Sequence, residues 1–337
     1  MPHSNISIFV PHVGCPHMCS FCNQRTITGV QDIPHDNDVK RICSEAMNDI
    51  EDYSKTEIAF FGGSFTAVPI DYMIELLKAA HEFVGQGKFK GIRISTRPDC
   101  INEEILKILK QYGVTAIELG AQSMCDHVLT ANERGHTAED ICLASALIKQ
   151  YEFELGLQMM TGLYMSAKSD DVHTMNEIIK LNPHTVRIYP VAVLENTKLA
   201  ELYRSGEYKL ISFDEMTDLC SYMLSCFYMA GIKVIRCGLH ASETVERDIV
   251  AGFYHPAFRE ICESEVFKTA ILKRIKTGEA AVVYVSQSDV SRAVGHKKKN
   301  KHFFDENGYK IEFKVDLSLE KGEICINKDV YNVFEIT

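Results

Sequence analysis

The chain has no tryptophan, no run of about 18 consecutive apolar residues, no low-complexity linker, no internal repeat and no second C-x2-C pair. Without a long apolar run, no segment qualifies as a membrane-crossing helix. The N-terminal Met-Pro-His-Ser-Asn carries no basic region leading into an apolar stretch. Secretion is therefore not expected, and the expectation is a soluble, cytoplasmic protein without a membrane partner. Lacking a second cysteine pair, the chain also lacks the two separated ligand pairs usual in structural zinc motifs. Nine of its 12 cysteines (positions 43, 100, 125, 142, 220, 226, 237, 262 and 325) stand singly, mostly in apolar periodic runs. That distribution suits reduced core thiols rather than a disulfide framework.

The other three cysteines are what the sequence does concentrate. Cys15, Cys19 and Cys22 read C-P-H-M-C-S-F-C, directly after the apolar-rich run from Ile6 to Val10. A C-x3-C-x2-C loop can wrap three corners of a cubane iron–sulfur cluster, whose usual complement is four thiolates. One iron is then left open. A vacant coordination position allows chemistry on a bound ligand, whereas a fully ligated cluster mainly passes electrons. Two rival readings stay open at this point: structural zinc held by these cysteines with His12 or His17, and a non-catalytic electron-transfer module.

A chain of 337 residues is about two domains' worth, or one large barrel with an appendage. The net charge of −10 argues against a surface that coats nucleic acid throughout. The sign is nevertheless uneven. From Lys268 to Lys301, nine basic residues face two acidic ones, a local +7 that leaves −17 on the remainder. A basic segment on an acidic protein is a candidate polyanion contact, although a lysine run is often only a solvated loop.

Strand-like and helix-like runs alternate from the start, the mark of β/α units on a parallel sheet. Strands are expected at 5–10, 57–61, 91–96, 114–119, 154–160 and 184–189, with a seventh at 232–237. Gly113 and Gly231 stand where helix C-caps belong, and Thr137 with Asp140 forms a capping-box pattern. Six β/α units suit an open partial (β/α)6 barrel, an α/β fold. After about residue 240 the alternation stops, and strands at 280–285, 310–315 and 322–326 suggest a small α+β extension. The expected division is 1–240 for the barrel and 241–337 for the extension.

In parallel β/α folds the chemistry gathers at the C-terminal edge of the strands. The cysteine loop follows the first strand there. Gly62-Gly63-Ser64 follows the second, and its paired glycines suit backbone contact with a ligand's ammonium and carboxylate. A strand buried on both faces should be apolar, so polar residues near strand ends stand out. These are Ser95 and Arg97, then Glu118 and Gln122, Gln158, and finally Arg187 and Tyr189. Together they offer partners for a polar cofactor, while Met159 and Met160 read as core filler. His240, Tyr254 and His255 emerge after the seventh strand as candidate substrate contacts, joined by Lys297, Lys298 and Lys299 of the basic segment.

With these residues in view, the cysteine spacing is that of the radical S-adenosylmethionine (SAM) superfamily, and Phe21 holds the aromatic place before its last cysteine. More narrowly, the chain resembles the radical SAM domain of the Elongator catalytic-subunit family, and most of all its short bacterial relatives. The matching stretches include Phe9 to His17, Ser95 to Asp99, Glu118 to Ser123, Arg134 to Thr137, Met160 to Leu163, Val186 to Pro190 and Ala251 to Pro256.

The resemblance implies a [4Fe–4S] cluster on Cys15, Cys19 and Cys22, with SAM on the open iron. It implies a 5′-deoxyadenosyl radical that abstracts hydrogen from a substrate, with tRNA as the leading choice and a small molecule, porphyrin or peptide as the alternative. By likeness to this branch and to the oxygen-independent coproporphyrinogen oxidases, Gly62, Gly63, Gln122, Arg134 and Gln158 fall on SAM-contact positions. A flavodoxin- or ferredoxin-type electron donor is implied as partner. The expectation is a short form without the acetyltransferase domain of the Elongator enzyme, and Ser95 stands where the coproporphyrinogen oxidases place a glutamate.

Overall fold

The computed structural model describes residues 4–10, 15, 18–28, 32–50 and 52–335, and within these the side chains of 24 and 25 are left aside. Six strands form in chain order: β1 (Ser4–Val10), β2 (Thr56–Gly62), β3 (Gly91–Thr96), β4 (Val114–Gln122), β5 (Glu154–Thr161) and β6 (Thr185–Pro190). Each pairs in parallel with the next. The partial (β/α)6 barrel expected from the sequence is the fold of the chain, and each strand lies within a few residues of its expected bounds.

The crossovers run through helices Asp36–Asp49, Ile70–His81, Glu103–Gln111, Ala138–Gln150 and Lys168–Leu181. Their starts follow local chemistry. The Asn102 side chain accepts from the Ile105 N–H, and Thr137 and Asp140 form the reciprocal capping box. Gly113 sits just past a helix end at φ +77°, where an added Cβ would stand 3.0 Å from His81 Nδ1. The strands supply a continuous apolar core, with Ile8, Ile58, Phe60, Ile92, Ile94, Ile117, Leu119, Leu155, Leu157, Val186 and Ile188 buried.

The chain divides into two compact units: residues 1–210 with 241–252, and residues 211–240 with 253–337. The helix Phe213–Met229 packs on the helix Phe258–Leu272, which places it in the second unit. The seventh strand forms at Lys233–Cys237. In the second unit, Ala280–Val285 pairs in parallel with Lys310–Val315 and antiparallel with Glu323–Ile326. A strand not expected from the sequence, Asp329–Asn332, pairs antiparallel with Glu323–Ile326. It follows the two-residue turn Asn327-Lys328, both residues at positive φ, and carries little apolar patterning of its own. Val266, Phe267, Ile271, Val283, Val285, Phe304 and Ile324 form a separate core there.

Candidate functional site

The loop after β1 delivers Cys15, Cys19 and Cys22, all reduced and half-buried. Between the last two, the Cys22 N–H donates to the Cys19 carbonyl at 3.1 Å, a tight turn that holds both thiols in one loop. Ser20 anchors it. Its N–H and hydroxyl donate to the Asn132 carbonyl (3.2 Å) and side-chain oxygen (2.8 Å), and its carbonyl accepts from Leu199 N–H (2.8 Å). Asn132 is itself buried and donates to the Val128 and Tyr164 carbonyls, so the anchor is rigid. Phe21 is buried beside it. His12 and His17, the zinc-ligand candidates, lie outside the described residues.

Arg134 reaches this loop from the segment after β4. Its Nη1 donates to Cys19 Sγ at 3.0 Å and its Nη2 to the Gly120 carbonyl at 2.6 Å, while its buried Nε has no partner. That hydrogen bond, made by a planar fork that also spans the Gly120 carbonyl, fixes the direction of the Cys19 sulfur in the loop. Arg97 holds Arg134 in turn by donating to its carbonyl, and Asp99 grips Arg97 through two bonds of 2.9 and 3.0 Å. Burial alone would weaken the Arg97 charge, but Asp99 more than offsets it and the pKa is raised.

Gln122 lies where the β4–β5 register slips between Gly120 and Gln122, and its φ is +66°. A bulge that turns a non-glycine residue into the left-handed region re-aims its side chain, a device common beside active sites. The Gln122 Oε1 is buried without a partner. An added Cβ at Gly120 would stand 3.1 Å from Gln122 Nε2 and 3.4 Å from Arg134 Nη2, so the glycine keeps room for both side chains. Three thiols in one loop, a cation on one of them, and two orphaned buried polar atoms beside it fit a thiolate-held cluster with a polar ligand over it.

At the end of β2, Gly62 has φ +115° and an added Cβ would stand 2.7 Å from the Val10 carbonyl oxygen. The Gly63 N–H donates to that same oxygen at 2.9 Å. This N–H is therefore committed to the protein and is not a donor for a ligand carboxylate, which leaves the carbonyl oxygens of this turn as acceptors for a ligand ammonium. Ser64 is buried in the turn.

Ser95, Glu118, Gln158 and Tyr189 meet, with Arg187, in one network. Arg187 forks Glu118 at 2.6 and 2.8 Å, Gln158 Nε2 donates to Glu118 at 2.9 Å and to Ser95 Oγ at 3.2 Å, and Tyr189 lies close enough to Arg187 to raise its pKa. The guanidinium also lies 5.1 Å from the Phe61 ring centre. Burial raises the Glu118 pKa, but Arg187 and Arg93 outweigh it and hold the carboxyl below the usual range. Glu118 is thus occupied by protein cations.

The network extends to residues the sequence reading passed over. The buried Arg93 donates to Glu57 (2.7 Å), Glu154 (3.3 Å) and Glu118 (3.4 Å), and Lys90 pairs with Glu154 at 2.8 Å. The signal was in the sequence: a charged residue in the middle of GIRIST breaks the rule of an apolar buried strand, just as the strand-end residues do.

His136 follows Arg134 and is buried, with Nδ1 unpartnered. Burial, then the charges of Arg134 and Arg97, push its pKa down to about 4. A depressed histidine contributes stability that is full above its unfolded pKa, near 6.5, and is lost as pH falls toward the folded value. Unfolding free energy is expected to drop by about 3 kcal/mol between those pH values, with a flatter profile in His136→Asn. Urea titrations across that range would show equal slopes if His136 does not titrate in this way.

In the second unit the fold brings His255 beside the lysine run. The rings of His255 and His296 are edge-to-face at 5.2 Å, and burial, His296 and Lys297 lower the His255 pKa. Lys297 and Lys298 are exposed at φ +52° and +63°. Asn300 fixes this strained pair by donating to the Ser264, Arg292 and Ala293 carbonyls. Lys299, by contrast, is paired with Asp214 at 2.9 Å, and Lys268 and Arg292 are paired with Glu265 and Glu263. The effective positive field is therefore narrower than the +7 count suggests. His240 and Tyr254 belong to the same unit and are half-buried.

The radical SAM superfamily model matches residues 9–178, and a radical SAM C-terminal domain model matches residues 183–268. The chain belongs to the radical SAM superfamily and is a radical SAM enzyme. Over its radical SAM region it is Elongator-like. It is 31% identical over 192 residues to the tRNA uridine(34) acetyltransferase of Methanocaldococcus infernus, covering 51% of this chain and 36% of that protein. With human Elongator complex protein 3 the identity is 28% over 191 residues, covering 51% and 35%. The chain thus spans about a third of the length of these curated relatives. The solved structure of M. infernus Elp3 with an N-terminal deletion superposes with a TM-score of 0.63 at 21% identity, over 80% of this chain and 64% of that one. That likeness concerns the fold. Among the described residues no helix is long and apolar enough to cross a membrane.

Proposed function

We propose that this chain holds a [4Fe–4S] cluster on Cys15, Cys19 and Cys22, binds SAM over it, and acts on tRNA in the cytoplasm with an electron from a flavodoxin- or ferredoxin-type donor. When bound, the cluster and SAM supply a 5′-deoxyadenosyl radical that abstracts hydrogen from the substrate. The protein's own residues bind and orient. Arg134 positions Cys19 through its hydrogen bond to the sulfur, Gln122 offers its free oxygen to a donor on SAM, and the Glu118 network stiffens the barrel interior. The observation that carries this reading is the Arg134–Cys19 contact at 3.0 Å beside the orphaned Gln122 Oε1.

The test is anaerobic reconstitution with dithionite and SAM, with deoxyadenosine release as readout. Release is expected in the wild type and absent in Cys19→Ala. Cys100 is the informative control: it faces Arg97 and lies within electrostatic reach of Cys15. Cys100→Ser is expected to keep both iron content and deoxyadenosine release. Loss of the cluster in that variant would make Cys100 a fourth ligand, close the open iron and defeat the reading.

The substrate half rests on the basic segment together with the tRNA-modifying relatives. Lys297 and Lys298 make no ion pair among the described residues and stand on a loop fixed by Asn300, suited to phosphate. Binding of bulk tRNA is expected to weaken steeply with salt, and the Lys297→Glu/Lys298→Glu variant to lose roughly tenfold or more. Lys299→Glu is expected to cost less, because its charge is already spent on Asp214. Salt-insensitive binding, or deoxyadenosine release stimulated instead by a nucleic-acid-free metabolite or peptide pool, would replace tRNA as substrate.

A further inference from the structure

Cys125, His127 and Asp170 meet in the first unit, apart from the cluster loop and the charge network. Cys125 and His127 come from one turn, at the start of the helix Asp126–Ala131, and Asp170 from the first turn of Lys168–Leu181. One donor atom from each lies within 4.8 Å of the other two. Cys125 Sγ is 3.8 Å from Asp170 Oδ1, and His127 Nε2 is 3.4 Å from Asp170 Oδ2. Zinc bonds of about 2.3 Å to sulfur and 2.0 Å to nitrogen or oxygen, at tetrahedral angles, separate sulfur from oxygen by about 3.5 Å and nitrogen from oxygen by about 3.3 Å. Those values are for one shared oxygen, whereas the sulfur is measured to Oδ1 and the imidazole to Oδ2, so the three groups border a small gap that a modest turn of the Asp170 carboxylate closes around an ion.

The plainer account is helix capping, and it covers only part of the geometry. Asp170 Oδ2 accepts from the Ala167 N–H at 2.8 Å, which explains the carboxylate but not the thiol and imidazole aimed at it. A thiol 3.8 Å from oxygen makes at most a weak hydrogen bond, and Cys125 caps no helix with its side chain. Asp170 can keep Oδ2 on the cap while Oδ1, which faces the sulfur, turns to a cation. His127 is exposed, so an ion can reach the group from solvent.

We propose that Cys125, His127 and Asp170 form a binding site for a divalent transition metal of the zinc class, with water in the fourth position. Binding deprotonates the Cys125 thiol, its proton leaves to solvent, and the imidazole binds neutral, so affinity falls as pH falls. The ion would tie the loop after Gln122 to the helix Lys168–Leu181, reinforcing the bond from the Met124 N–H to Thr174 Oγ1 at 3.0 Å.

The test uses the full chain with Cys15, Cys19 and Cys22 all replaced by alanine, titrated with Co2+ under anaerobic conditions. One equivalent is expected to bind with a near-ultraviolet thiolate-to-cobalt band. Adding Cys125→Ser should abolish that band, and His127→Ala or Asp170→Asn should weaken Co2+ binding at least tenfold. No band in the parent, a band that survives Cys125→Ser, or binding indifferent to both other changes would each overturn the site. A second measurement does not depend on the triple variant folding. Zinc content of the cluster-loaded wild type after dialysis is expected to be one ion per chain, falling to none in Cys125→Ser, and equal content in the two would also overturn it.

Discussion

Replacing Arg93 with methionine is expected to destabilise the barrel unit by about 3–5 kcal/mol, the largest single-site effect the structure implies for stability. The reason is not the strength of any one ion pair. Arg93 is 1% exposed and touches Glu57, Glu118 and Glu154 at once, and Glu57 is fully buried with Arg93 as its nearest cation at 2.7 Å, the Thr115 hydroxyl at 3.0 Å and Lys90 more distant at 3.7 Å. Removing the guanidinium leaves a carboxylate in a dry interior, which costs more than the pair gained in forming. Glu57→Gln in the Arg93→Met background is therefore expected to recover part of the loss, as seen by urea unfolding.

The pH dependence has a definite sign. Glu118 is held below its usual pKa, so its contribution is present above the unfolded value and lost as pH falls through the folded one. Losing Arg93 raises that folded pKa and shrinks the contribution. A loss below about 1 kcal/mol in Arg93→Met would show that water reaches these carboxylates in solution.

Replacing Arg134 with glutamine is expected to cut deoxyadenosine release by about 10- to 100-fold while iron content stays near the wild-type level. With the proposed cluster bound on Cys19, the hydrogen bond to its Sγ would favour added electron density on that sulfur, so its removal should also lower the cluster midpoint potential by on the order of tens of millivolts. Arg134→Lys keeps the charge but not the fork that spans Cys19 and the Gly120 carbonyl, and should recover only part of either effect. Redox titration followed by electron paramagnetic resonance separates the possibilities. An unchanged midpoint with weaker SAM binding would reduce Arg134 to a cofactor contact and remove its role on the thiolate.

Much of this arrangement is legible in the residue order. The six strands and the capping box at Thr137 follow from residue periodicity and side-chain chemistry that act within a few positions of the chain. The cysteine spacing is likewise local. Less was legible where the outcome depends on which distant side chains meet. Ser95, Glu118 and Gln158 stood out singly as polar ends of three strands, and only the fold shows that Gln158 bonds both Ser95 and Glu118 while Glu118 is forked by Arg187. The lysine run counted as one patch, but Asp214, 85 positions away, takes Lys299 out of it.

The sequence by itself determined a chain of β/α units with three thiols placed after the first strand, because a strand's apolar run and a loop's ligand spacing are both short-range. Only the tertiary structure decided that Arg134 lies on Cys19, that a bulge turns Gln122 toward an unfilled bond, and that Cys125 and His127 face Asp170. Those meetings depend on register and packing between segments far apart in the chain, where Coulomb and hydrogen-bond terms act over a few ångströms and leave no periodic trace in residue order.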